Sequence, residues 1–148
     1  MAILNFEGRV NIAVRIVTEK YPNAKLYEAQ GVSSTGATTD PLKIDELTVV
    51  FQNSNNTTVT IKSTGWGEFG EPKLINEPTL GDIVIEWPVN MDLKEANDLK
   101  EAAGYKEAYE SVVLRNPLGP TIGNPYYIFT CSEYIFVDTV TKEVQPRR

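Results

Sequence analysis

The 148-residue sequence contains no histidine and a single cysteine, Cys131. Without an imidazole, every Ser-His, Cys-His and His-metal arrangement is excluded. One thiol can neither close an intrachain disulfide nor build a zinc site, which needs several Cys or His ligands. Long apolar runs are also missing, and nothing approaches the ~18 residues needed to cross a bilayer. The N-terminal stretch MAILNFEGRVNIAVRIV is broken by Glu7, Arg9 and Arg15. It lacks the basic start and small-residue cleavage site of a signal peptide. Basic charge is scarce: 14 Lys and Arg against 20 Asp and Glu leave a net charge of −6. That balance argues against nucleic acid and anionic membranes as main partners. There is no P-loop, no G-x-S-x-G elbow and no paired-Cys motif. Gly65-Trp66-Gly67 followed by Gly70 spells G-x-G-x-x-G, but no helix follows, and Glu71 and Pro72 do not suit a phosphate. No cofactor or metal is expected, and the balance leans away from an enzyme. An unpaired cysteine without a secretion signal reads as cytoplasmic, and the sequons at Asn55 and Asn56 read as a polar hairpin loop.

What is present is ordinary globular composition, 41% apolar and 23% charged, in a chain of one-domain length. Asn5 caps a first helix whose stripe is Phe6, Val10, Ala13, Val14 and Val17, and Tyr21-Pro22-Asn23 ends it. A strand over Ala24–Ala29 follows, then the Gly/Ser/Thr-rich loop GVSSTGATTDP. Leu47, Val49 and Phe51, then Val59 and Ile61, alternate with polar residues, which predicts a hairpin with one wet face. Residues 64–90 are read as a linker holding a short strand, Asp82–Trp87. Asp92 with Glu95 marks the start of a second helix in a capping-box arrangement. Leu93, Ala96, Leu99 and Ala103 form its stripe, and Gly104 stops it. Three strands follow: Tyr109–Leu114, Tyr126–Cys131 and Tyr134–Val140.

The two halves, 5–63 and 91–144, thus share one order: helix, strand, strand, strand. Each is too small to bury its own face. The expected fold is a single α+β domain over 1–148, with two helices on one face of a twisted antiparallel sheet and pseudo-duplicated α-β-β-β halves joined through Asp82–Trp87. The strands YYIFTC and EYIFV are apolar on both sides, which predicts that they are central or covered. Cys131, in that stretch, is expected to be buried and unreactive.

Trp66-Gly67-Glu68-Phe69-Gly70-Glu71-Pro72 sets two large aromatics in a glycine-rich connection. Such residues are interface anchors when exposed and plugs of a sheet end when folded back. Tyr126 and Tyr127 point to opposite sides of a strand, so one belongs to the core. The other, with Tyr109 or Tyr134, can form an aromatic patch. The candidate binding residues are therefore Trp66, Glu68, Phe69, Glu71, Tyr126 and Tyr127. Asp92, Glu95, Asp98 and Glu101 recur every three residues along the second helix. They read as a solvated acidic face, with Lys94 paired to Asp98.

Tyr21-Pro22-Asn23-Ala24 after a helix resembles the helix-then-YPGA opening of PepSY-type domains. Val137-Asp138-Thr139-Val140-Thr141-Lys142-Glu143-Val144 resembles their closing strand, V-D-x-x-T-G-x-V, with Lys142 where the family usually has Gly. The resemblance implies a tandem PepSY-like or cystatin-like helix-on-sheet fold of the inhibitor type, whose members mostly bind other proteins, often hydrolases. The cystatin motif Q-x-V-x-G is absent, since Gln30-Gly31-Val32 does not supply it. The expected function is a cytosolic protein-binding module, with inhibition of a hydrolase as its narrower form. The expected contacts are the TGWGEFGEP loop, the 115–125 loop and the open sheet face of the first half. The alternatives are a small-molecule or carbohydrate binder with a Trp/Tyr-lined cleft, and a histidine-free enzyme.

Overall fold

The computed structural model describes residues 4–79, 81–118 and 123–147. The first helix, α1 (Phe6–Lys20), starts at Asn5, whose side chain accepts from the Gly8 N–H at 2.7 Å. The second, α2 (Leu93–Ala102), starts at Asp92, which accepts from the Lys94 N–H at 3.1 Å. The other oxygen of Asp92 accepts from the Glu7 N–H at 2.8 Å, so one carboxylate satisfies orphan donors of both helices. Glu95 does not complete a capping box in the way the spacing suggests; its carboxylate pairs with Lys142 at 3.0 Å. Gly104, at φ +98°, ends α2. Its N–H bonds to the Glu101 carbonyl and the Tyr105 N–H to the Lys100 carbonyl, which is a Schellman closure.

The strands are β1 (Lys25–Val32), β2 (Glu46–Asn53), β3 (Thr57–Gly65), β4 (Glu68–Phe69), β5 (Lys73–Ile75), β6 (Ser111–Arg115), β7 (Tyr126–Thr130), β8 (Tyr134–Asp138) and β9 (Val144–Arg147). They form one open antiparallel sheet in the order β4-β3-β2-β1-β6-β7-β8-β9, with β5 also paired to β3. Each half is a helix followed by a meander that runs outward from the centre. The halves meet where β1 pairs antiparallel with β6, from Glu28 opposite Arg115 to Val32 opposite Ser111. Asp82–Trp87 does not make that junction. Only Ile83 forms a bridge, to Asn116, and the segment passes the sheet end, where the Ile85 N–H bonds to the Leu26 carbonyl. Joining the two first strands directly gives a continuous ladder.

Both helices cover the face formed by Ala29, Leu47, Val49, Phe51, Val59, Ile61, Val112, Leu114, Tyr127, Phe129, Ile135 and Val137, all buried. Strand alternation puts every second residue there. Gly31 faces the same way, and a Cβ on it would lie 2.4 Å from Ile44 and 3.1 Å from Phe6, so only glycine fits beneath that contact. The α2 stripe differs from the expected one. Leu93, Ala96, Asn97 and Lys100 are buried, whereas Leu99 is half-buried and Ala103 exposed. Lys100 is accommodated because its Nζ reaches the Tyr105 carbonyl at 2.7 Å, over the rings of Tyr109 and Phe129. Cys131 is half-buried rather than buried; it follows β7, and burial raises its thiol pKa. No helix among the described residues is long and apolar enough to cross a membrane.

Candidate functional site

The face opposite the helices is built by the remaining alternation. In the first half it carries Thr48, Val50 and Gln52 from β2 with Thr58, Thr60 and Lys62 from β3, which is largely polar. In the second half it carries Val113 and Arg115 from β6, Tyr126, Ile128 and Thr130 from β7, and Tyr134 and Phe136 from β8. Apolar residues on both sides of these strands therefore do not mean that both sides are covered: Tyr134 is 55% exposed, and no helix lies on this side among the described residues.

The apolar side chains group around a groove of about 330 Å³ lined by Val113, Arg115, Pro117, Ile128, Thr130, Tyr134 and Phe136. Tyr126 packs edge-on to Phe136 at 5.7 Å, which fixes both rings. At one end Arg115 pairs with Asp82, with Nε–Oδ2 and Nη2–Oδ1 both 2.9 Å. Glu28 lies opposite Arg115 in the β1–β6 ladder. Burial and the Asp82 carboxylate raise its pKa, against the opposing pull of Arg115. At the other side Asp138 is buried and closes the β8–β9 turn, accepting from the N–H groups of Val140 (2.8 Å) and Thr141 (3.0 Å) and from the Asn124 amide (3.2 Å). Burial alone would raise its pKa, but these donors hold it below the usual value. The groove is thus an apolar strip with Arg115 and Thr130 as its polar lining, suited to burying apolar side chains of a ligand rather than to bond-making chemistry. Among the described residues no three Asp, Glu or Cys side chains converge as a metal-holding set.

The residues singled out from the sequence fall into two places. Tyr126 is half-exposed on this open face. Tyr127 is wholly buried under α1, its hydroxyl donating to the Met91 carbonyl at 2.9 Å and its ring 5.9 Å from Phe6. It is the core member of the pair and cannot touch a ligand. Tyr109 is also wholly buried, against Phe129, so the partner of Tyr126 in a patch is Phe136 with Tyr134 nearby, not Tyr109. Trp66 and Gly67 (φ +77°) form the two-residue turn between β3 and β4. Trp66 turns toward α1, with the Arg9 guanidinium 3.7 Å from its ring centre. Arg9 is 1% exposed, and its Nη1 donates to the Ile44 carbonyl at 2.7 Å. Burial lowers the Arg9 pKa to about 10, against the carboxylates of Asp92 and Asp45. Phe69 packs on the core beside Ile16 and Lys20, while Glu68 and Glu71 are exposed. This group lies on the helix side, five strand spacings (about 24 Å) from Tyr126. The structure therefore does not bring the two sets together. Of the 115–125 loop, residues 119–122 lie outside the described residues. Sequence reasoning missed Val113, Ile128 and Phe136, although their two-sided apolar strands were the available signal.

Two helices on one face of an open antiparallel sheet make this an α+β fold. The chain resembles in structure a "putative lipoprotein" from Clostridium difficile 630, known from a crystal structure, with a TM-score of 0.63, 12% identity, and coverage of 97% of this chain and 99% of that one. At that identity the likeness concerns the fold alone. No protein-family model and no curated protein sequence matches the chain.

Proposed function

We propose that the protein is a binding module that docks another protein on the open sheet face of its second half, with hydrolase inhibition as the narrower form of that role. The observation that carries this reading is the apolar groove of Val113, Ile128, Tyr134 and Phe136 on a face the helices leave free. Its position differs from the expected first-half face, whose threonines and lysine are already well solvated. Tyr and Phe side chains held by strand neighbours are ordered before binding, so they contribute area at little cost in side-chain entropy. The likeness of Val137–Val144 to the closing strand of PepSY-type domains supports the narrower form. Lys142 adopts φ +66°, the left-handed conformation for which glycine is the ordinary choice. A cytosolic location remains part of the proposal, supported by the single unpaired thiol; fractionation of native cells tests it.

The test is site-directed photo-cross-linking in native lysate. A photoreactive residue at position 134 should join one recurrent protein, while the same group at position 62 on the first-half face should not. Equal patterns from both positions, or none from 134, would contradict the proposal.

A further inference from the structure

The open sheet ends differently on its two sides. At one end β9 carries Pro146, which cannot donate to a further ladder. At the other end β5 pairs with β3, Thr58 opposite Ile75 and Thr60 opposite Lys73, and among the described residues no strand lies on its outer side. Residues 73–78 are all exposed. Leu74 and Ile75 are exposed apolar side chains, at 50% and 40%. The chain stays beside β3 past Ile75, because the Thr58 hydroxyl donates to the Glu77 carbonyl at 2.7 Å. A bare strand edge with apolar side chains is a template for another strand.

Prolines set the limits of that template. Pro72 and Pro78 bound the stretch Lys73-Leu74-Ile75-Asn76-Glu77, and neither has a backbone N–H to donate. A second strand can pair along this stretch and not past it. When that strand is the same stretch of another copy, run antiparallel, the register that pairs its whole length sets Ile75 against Ile75, Leu74 against Asn76 and Lys73 against Glu77. The charges agree with this register independently. Lys73 and Ile75 face the open side of the sheet, with Thr60 and Thr58, and strand alternation places Glu77 with them. Neither Lys73 nor Glu77 has an ion pair among the described residues. In this register each Lys73 meets a Glu77, and the two isoleucines meet at the two-fold axis, an isologous contact. The next registers that keep side chains on their own sides set Lys73 against Ile75, or Ile75 against Glu77.

We propose that the β5 edge binds a second copy of this chain: two copies join by antiparallel pairing of Lys73 to Glu77, continuing the sheet across a two-fold axis beside Ile75. The contact lies at the opposite end of the sheet from β8 and does not depend on the docking face. It is far smaller than a standard interface, so the dimer is weak and concentration-dependent, with a dissociation constant of about 0.1–1 mM.

Sedimentation velocity and amide NMR of the intact chain, from about 20 µM to about 1 mM, test this. A concentration-dependent dimer is expected, with amide shifts centred on Lys73 to Glu77. Lys73→Glu and Glu77→Lys, both at exposed positions, should each weaken dimerisation by about ten-fold, because like charges then face each other across the axis. Mixing the two variants should restore association to the wild-type level, since every reversed side chain then meets one of opposite sign. A monomer throughout the range, which would leave the edge to a different protein's strand, would overturn the proposal. So would shifts centred on β9 or on the β6–β8 face, or dimerisation indifferent to either reversal. A mixture that associates no better than the single variants would overturn it as well, because the contact would then not be isologous.

Discussion

Replacing Trp66 with alanine separates a loop anchor from a structural plug. The ring is half-buried and faces a guanidinium that is itself 1% exposed. Truncating a fully buried Trp costs ~3–5 kcal/mol, and about half of that applies to a half-buried one. A desolvated cation–π contact adds ~1–2 kcal/mol, because Arg9 must then face a cavity or water. The expected loss is about 3 kcal/mol, or ~6–12 °C in melting temperature for a domain of this size. Urea unfolding followed by tryptophan-independent far-UV circular dichroism measures it, and an unchanged m-value confirms that stability alone has moved. A double-mutant cycle with Arg9→Met should give a coupling of ~1–2 kcal/mol, since the two side chains touch. A loss below about 0.5 kcal/mol would refute this reasoning and return Trp66 to the surface as a candidate contact.

Gly31→Ala should destabilise by ~1–3 kcal/mol through overpacking against Ile44 and Phe6, read in the same unfolding assay; a neutral result would mean that the α1 contact is looser than described. Lys142→Gly should raise stability by up to ~1 kcal/mol, because relief of the left-handed strain exceeds the exposed Lys142–Glu95 pair. Asp138→Ala should cost ~2 kcal/mol at neutral pH through the lost turn bonds. Since the Asp138 pKa is depressed on folding, its stabilisation is full above its ordinary value of 3.8 and is lost as pH falls through the folded value. The gap between wild type and Asp138→Ala should therefore narrow in acid unfolding, and a constant gap would contradict the assignment.

The elements legible in the sequence are those with a local chemical signal. Asn5, Asp92 and Gly104 mark helix ends because caps act within a few residues. The alternation of Leu47, Val49 and Phe51 shows a half-wet strand for the same reason. β4, β5 and β9 span two to four residues, too few to show a period, and they exist because β3 and β8 offer open edges. The β1–β6 junction joins residues that are distant in the chain, from Glu28 with Arg115 to Val32 with Ser111, and no local pattern encodes such a register. Arg9 and Lys100 lie on the buried stripes against expectation, because each finds a backbone carbonyl and an aromatic face that only the folded chain assembles. The groove on the open face was not legible: the two-sided apolar strands of Ile128 and Phe136 suggested a covered face, and whether it was covered depended on where both helices settled.

Hydrogen–deuterium exchange of the protein with the partner cross-linked through position 134 tests the central claim most directly. Protection should increase in Ser111–Arg115, Tyr126–Thr130 and Tyr134–Asp138, while α1, α2 and the Trp66 turn keep their free-state exchange. Protection centred on Trp66 to Pro72 or on the helices, with the second-half strands unchanged, would contradict it.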